Sequence, residues 1–366
     1  MVRPLYILTD FTTDDPLSEY FTRKNIEYDF LPEELGVPLV DQIHSRIGGK
    51  ENVILILGAK TLKRLFDEKS IYHDFREIIK SGAKMLIYEK DCMLDILEMS
   101  TLNAEKSLNF TSWLNELKPT VLTDGIAGKW FKENYNKCEF IELQSYNLRP
   151  DMTFPELSIR KKHNPKKDFL CLMTSLPNRS HRQLLHEQMT AKGLIEHTVY
   201  KFSPRSPETH DDLKETFSET VIKGIIWPDG IPPVHYYNQT NLEIVAETFG
   251  HHNHDDTFFI SEKTTKPIAM KHPFMVLSSF HFLSNLRALG FRTFKDHLDE
   301  SYDLEQDIKK RIEIIINNLV TLKGSGGKLY NDTREIRDHN HLNLQYLAGT
   351  NKTILWNRMD EFMKNV

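Results

Sequence analysis

At 366 residues, with 47 Lys and Arg against 52 Asp and Glu for a formal net charge of -5, the chain is long enough for two cores and lacks the basic excess of a non-specific nucleic-acid binder. Its 39% hydrophobic and 27% charged content excludes a disordered or fibrous polypeptide, and no apolar run reaches membrane-spanning length. The three cysteines Cys92, Cys138 and Cys171 have no metal-ligand spacing and cannot all pair, so a reducing, cytoplasmic setting is expected. The opening MVRPLYILTD reads as a strand, so no signal peptide is expected, and the sequon at Asn109 reads as a chance match.

Apolar runs alternate with amphipathic ones. PLYILTD (Pro4 to Asp10), NVILILG (Asn52 to Gly58), AKMLIYEKD (Ala83 to Asp91), TVLTDG (Thr120 to Gly125) and FIELQSY (Phe140 to Tyr146) are continuous and apolar, as strands are when helices cover both faces of a parallel sheet. Segments such as LDILEMSTLNAEKSLNFTSWLNEL, between them, carry the helical period. The pattern predicts an α/β doubly wound sheet. Asp10, Asp14 and Asp15 follow the first strand and Asp124 ends a later one. A catalytic base fits at Asp10 or Asp124, although turn and cap roles compete at each.

Residues 150–168, PDMTFPELSIRKKHNPKKD, break the composition with three prolines and the basic side chains Arg160, Lys161, Lys162, His163, Lys166 and Lys167. This is the expected linker, and the βα pattern then restarts. DFLCLMTS, HTVYKFS, GIIWPDG, LEIVAET, TFFISEK, PFMVLSS and FRTF read as strands. The chain therefore divides into a first α/β domain over 1–155, a basic linker over 156–168 and a second α/β domain over 169–340. A helix within 341–366 could return to the first domain. Leu304 to Leu322 reads as an amphipathic helix, and KGSGGK after it reads as a linker, since no strand precedes it.

The chemistry-bearing residues concentrate in the second domain. In FFISEKTTKPIAMKHPFMVLSS, Glu262, Lys263 and Lys266 sit at a strand-to-helix junction, where two lysines oppose the helix dipole unless an anion offsets them. Arg179 and Arg182 stand at another such junction, with the bidentate geometry that suits phosphate. Glu247 closes a strand, where a carboxylate could accept ribose hydroxyls. Trp227 lies beside a Pro/Gly-rich turn and could cover a base, or be structural. The run His251, His252, His254, Asp255 and Asp256 lacks the spacing of a zinc site, so no metal is assigned.

At these residues the chain resembles the nucleotide-sugar-dependent glycosyltransferases of the two-Rossmann-domain (GT-B) type, and most of all the fucosyltransferase-like group with its phage-encoded relatives. AETFG, FFISEKTTKPI and KHPFMVLSS carry the likeness, together with Asn178-Arg179-Ser180-His181-Arg182, GFRTF (Gly290 to Phe294) and DESYD (Asp299 to Asp303). It spans roughly Phe169 to Asp303. The resemblance implies two parallel-sheet domains facing a cleft, and a UDP- or GDP-sugar donor held by Arg179, Glu247, Glu262 and Lys263. No tightly bound cofactor or metal is implied. It also implies transfer to an acceptor hydroxyl, with 5-hydroxymethylcytosine in phage DNA as the leading acceptor. The linker residues Arg160, Lys161, Lys162, Lys166 and Lys167 would then track a DNA backbone. A saccharide acceptor is the alternative within enzymes, and a non-catalytic phage protein that keeps the fold for binding or assembly is the alternative outside them.

Overall fold

The structure, a computed structural model, describes residues 5–9, 16–31, 53–58, 84–89, 104–143, 163–175, 179–204, 234–250 and 256–365. Two compact units emerge, one formed by 1–146 with 352–366 and the other by 147–351.

In the first unit, β1 (Leu5–Thr9), β2 (Tyr28–Leu31), β3 (Val53–Gly58), β4 (Lys84–Glu89), β5 (Thr120–Asp124) and β6 (Glu139–Leu143) form a parallel sheet of order β2-β1-β3-β4-β5-β6. The winding reverses between β1 and β3, and ligands favour the crevice at such a reversal. Ile54 to Leu57 and Met85 to Tyr88 are buried without alternation, so both sheet faces are covered. Among the described residues, the helices α1 (Pro16–Arg23), α2 (Ala104–Leu117) and α3 (Lys129–Asn134) belong here. The end of the chain does too. Leu355, Met359 and Phe362 recur at helical spacing and join a core of Leu17, Tyr20, Phe21, Ile54, Ile56 and Leu86. Burying three such side chains is worth roughly 5 to 8 kcal/mol as an upper estimate. Asp360 accepts from the Tyr20 hydroxyl at 2.7 Å and from Lys24 at 2.9 Å, which fixes that helix against α1.

The second unit contains β7 (Phe169–Ser175), α4 (Ser180–Ala191), β8 (Thr198–Pro204), α5 (Val234–Asn238), β9 (Leu242–Ala246), α6 (Glu262–Ala269) and β10 (Phe274–Leu277). Helices α7 (Phe282–Ala288), α8 (Ile308–Leu322), α9 (Lys328–Asp332) and α10 (Arg334–Asn365) follow, and α10 runs on into the residues of the first unit. The sheet is parallel, of order β10-β9-β7-β8, so its switch point lies between β7 and β9. β7 pairs with β8 from Phe169↔Thr198 to Ser175↔Pro204, whereas its ladder with β9 consists of Phe169↔Leu242 and Leu170↔Glu243. The strands thus part toward their carboxyl ends, where a site can form.

Several sequence expectations are corrected. TFFISEK is not a strand: β9 and β10 pair directly, Glu243 with Phe274, and leave no place between them. Phe258 and Phe259 instead bury as a connecting segment, against Phe282 and Phe249 respectively. FRTF is not a strand either, because its backbone bonds go to side chains and to nearby turns instead of a neighbouring strand. Asn340 of α10 pairs with both the N–H and the C=O of Arg292, at 2.7 and 2.8 Å, and Glu300 accepts from Phe294 N at 2.6 Å. The terminal helix begins at Arg334, before the expected span of 341–366. Helix α8 starts at Ile308, four residues after Leu304, because the Asp307 carboxylate caps Lys309 N and Lys310 N. GIIWPDG lies outside the described residues.

The last six residues of the expected linker are fastened to the second unit. Lys166 N and Lys167 N both donate to Gln239 O, and His163 stacks on Tyr330 with ring centroids 3.7 Å apart. Arg337 covers Tyr330 at 3.8 Å, adding a cation–π contact.

Candidate functional site

Glu247, immediately after β9, organises the carboxyl edge of the second sheet. It is fully buried, and its carboxylate accepts from Thr248 N (3.1 Å), Ser261 N (3.2 Å), Ser261 Oγ and Thr264 Oγ1 (both 2.5 Å). Its backbone N–H donates to Leu277 O of β10, and its carbonyl accepts from His181 and Arg182 of α4, both at 3.0 Å. One residue therefore joins β9, β10 and the starts of α4 and α6. Four donors saturate the lone pairs of a carboxylate, so the ribose-binding role expected of Glu247 finds no oxygen left to perform it. Gly250 follows because His181 packs on its backbone: a Cβ there would meet the imidazole at 2.8 Å.

Helix α6 starts at the same point. Ser261 is its cap, accepting from Lys263 N at 3.2 Å. The anion expected to offset Lys263 and Lys266 is partly supplied by the chain itself. Lys263 Nζ lies 2.6 Å from Glu262 Oε1 and 3.3 Å from Ser261 Oγ, and both side chains remain about a quarter exposed. Burial acts to raise the Glu262 pKa, but the Lys263 and Lys266 ammonium groups overcome it and hold the carboxyl down at about 2. Arg182 is 2% exposed. Burial, together with Arg179 nearby, lowers it to about 10, while Glu247 and Glu262 act the other way, so it stays a cation near neutral pH. Arg182 thus lies within electrostatic reach of Arg179, Glu247 and Glu262, and Glu262 within reach of Lys263 and Lys266, so four cations gather around two carboxylates. Of the cations, Arg179, Lys263 and Lys266 are reachable from solvent.

The other expected site residues fall elsewhere. Lys166 and Lys167 are exposed, and the Lys167 ammonium donates to Glu196 O at 2.5 Å. Arg160, Lys161, Lys162, Trp227, Asp10 and residues 251–255 lie outside the described residues. Asp124 ends β5, which lies three strands from β1 in the sheet order. The GFRTF and DESYD runs build architecture. Asp303 caps α7 through Leu283 N and Ser284 N, and Arg287 joins Thr293, Ser284 and Glu300. Sequence reasoning missed Ser261 and Thr264 as the hydroxyl partners of Glu247, and Glu243, a buried carboxylate on β9. An acidic residue inside an apolar strand was the signal available for the last.

No protein-family model matches the chain, and no curated protein sequence matches it. Among solved structures it is similar to a chain of the GtfA/B complex, at 11% identity and a TM-score of 0.38 over 90% of this chain, and it spans 62% of that chain's length. It is also similar to the glycotransferase of kitacinnamycin, at 10% identity and a TM-score of 0.37, covering 98% of this chain and 99% of that one. Among the described residues no three His, Cys, Asp or Glu side chains gather as a metal site, and no helix is long and apolar enough to cross a membrane.

Proposed function

We propose that the chain is a glycosyltransferase that takes a sugar from a nucleoside-diphosphate donor, with UDP favoured and GDP the alternative, and that the donor diphosphate binds at the start of α6. The observation that carries this reading is the excess of four cations over two carboxylates at the switch point of a parallel sheet. Anions favour such a position for two reasons, the orientation of helix N–H groups and the side-chain charge. In this reading Arg179, Lys263 and Lys266 contact phosphate oxygens, while Arg182, buried on the Glu247 carbonyl, adds field. Glu262 aims Lys263, and its second oxygen takes donor hydroxyls, the role Glu247 cannot fill.

In the reaction the bond from the anomeric carbon to the β-phosphate oxygen breaks as the acceptor oxygen bonds to that carbon. The cations stabilise the departing diphosphate, whose charge grows in the transition state. The acceptor proton passes to a carboxylate. Asp10 and Asp124 are the candidates for this role. The sequence resemblance supports sugar transfer and, through the phage-encoded relatives, hydroxymethylcytosine DNA as acceptor, with Lys166 and the linker's other cations on the backbone.

The test has two stages. UDP- and GDP-sugars should raise the melting temperature, and Lys263→Met should remove that rise while leaving the ligand-free protein folded. Hydroxymethylcytosine DNA and oligosaccharides are then offered with a panel of sugar nucleotides and read by mass spectrometry. A mass increase on DNA alone identifies the acceptor. Absence of both stabilisation and donor hydrolysis would leave a binding or assembly protein as the answer.

A further inference from the structure

The amino edge of the second sheet, opposite the edge that carries Glu247, brings two basic segments together. Asp168 precedes β7 and staples them. Its N–H donates to His197 O, its carbonyl accepts from Asn241 N, and its Oδ2 lies 3.1 Å from both Gly324 N and His197 Nδ1. The KGSGGK loop, expected as a linker, is a built turn here. Gly324, Gly326 and Gly327 all take positive φ, and a Cβ on Gly327 would meet Asn241 Oδ1 at 2.9 Å. Lys323 and Lys328 flank this turn, and with Lys166 and Lys167 of the linker they are exposed. On the segments that form the edge, 163–168, 195–198, 239–241 and 323–328, these four lysines meet two carboxylates, Asp168 and Glu196. The Asp168 Oδ2 is taken by Gly324 and His197, and the Lys167 ammonium donates to a carbonyl, Glu196 O. Among the described residues, the ammonium groups of Lys166, Lys323 and Lys328 form no ion pair. A chain of net charge -5 thus carries a locally cationic edge.

We propose that this edge is a nucleic-acid contact surface, on which Lys166, Lys167, Lys323 and Lys328 bind the phosphodiester backbone. It rests on the DNA-acceptor reading above and deepens it, adding the KGSGGK loop to the linker's cations. The chemistry selects a polyanion, because each ammonium group binds phosphate oxygens as a point charge and each contact releases condensed counterions. Segments 163–168 and 323–328 contain none of the exposed large apolar side chains. The surface therefore lacks the apolar centre of a protein interface and has the polar, cationic character of a nucleic-acid one. Backbone contacts carry no sequence information, so binding here is indifferent to base sequence and base modification. Across the seven residues of β7, at about 3.3 Å each, the surface stands roughly 20 Å from the carboxyl edge of the sheet. It holds the polymer without occupying the donor site.

Fluorescence anisotropy with short labelled duplexes, unmodified and hydroxymethylcytosine-containing, tests this with no sugar donor present. With four contacts at a slope of about -0.9 each, wild-type affinity for both duplexes should fall on the order of a hundredfold between about 50 and 200 mM salt. The double variants Lys166→Ala/Lys167→Ala and Lys323→Ala/Lys328→Ala should each bind more weakly and lose about 2 from the magnitude of that slope. Lys309→Ala/Lys310→Ala removes the same charge from the exposed start of α8 and should change neither. Melting temperatures of the ligand-free variants and their stabilisation by UDP should match wild type. Duplex binding with a slope that neither double variant changes overturns the proposal and leaves the DNA-acceptor reading to other contacts. If the wild-type protein binds no duplex, the DNA-acceptor reading fails and the proposal with it. Capture of phosphatidylserine vesicles without any binding of DNA assigns the edge to a membrane surface and overturns the proposal as well.

Discussion

Replacing Glu247 by Gln separates a framework carboxylate from a ligand-binding one. The two side chains are nearly isosteric, so no cavity forms. The amide retains one oxygen for either Ser261 N and Thr264 Oγ1, or Thr248 N and Ser261 Oγ, but its NH2 then faces the other pair. In both orientations a buried backbone N–H meets a donor instead of an acceptor. An unsatisfied buried donor costs about 1 to 3 kcal/mol, and the remaining bonds lose their charge assistance. The expected loss is roughly 2 to 4 kcal/mol, against a domain stability on the order of 5 to 15. For a unit of this size that is a fall in Tm of about 5 to 15 °C. The assay is urea and thermal unfolding of the ligand-free protein by circular dichroism, with UDP and GDP affinity measured alongside. A ligand-free stability within about 0.5 kcal/mol of wild type, combined with weakened nucleotide binding, would refute the framework argument and return Glu247 to the ligand.

Two further outcomes follow from the same edge. The Glu262 carboxyl is held at about 2, below its ordinary 4.5, so its stabilisation is complete above pH 4.5 and lost as pH falls toward 2. Glu262→Gln should lack that acid dependence, and because a quarter of the side chain meets solvent the difference from wild type near pH 6 should be only about 1 to 2 kcal/mol. An acid-unfolding curve of unchanged shape would count against the Lys263 pairing. Gly250→Ala should destabilise by about 1 to 3 kcal/mol, since the new methyl overlaps the His181 ring. Combining it with His181→Ala should recover part of that loss, as read by urea midpoint in a double-mutant cycle.

The strands of both sheets were largely legible because burial on two faces demands unbroken apolar runs, such as VILILG and FMVL. TFFISEK misled for the same reason: its phenylalanines are buried, yet by side-chain packing of a connecting segment, and composition cannot separate the two. FRTF misled because the hydrogen-bond partners of its backbone, Asn340 and Glu300, are distant or non-adjacent in sequence. At the site, Arg182, Glu247, Glu262 and Lys263 were legible as charged residues at strand-to-helix junctions. Their division into framework and accessible groups was not, since it depends on which side chains saturate which oxygens.

The order of apolar and amphipathic segments by itself determined an α/β chain with parallel sheets, because a strand that buries both faces must be apolar along its length. It also placed the cations beside two helix starts, since charge at such a position is readable residue by residue. Only the tertiary structure decided that the sheet switches between β7 and β9, that Glu247 is consumed by four donors, and that Lys263 pairs with Glu262. Those facts depend on contacts between segments far apart in the chain, and a one-dimensional pattern carries no record of which of several carboxylates reaches a given ammonium group first.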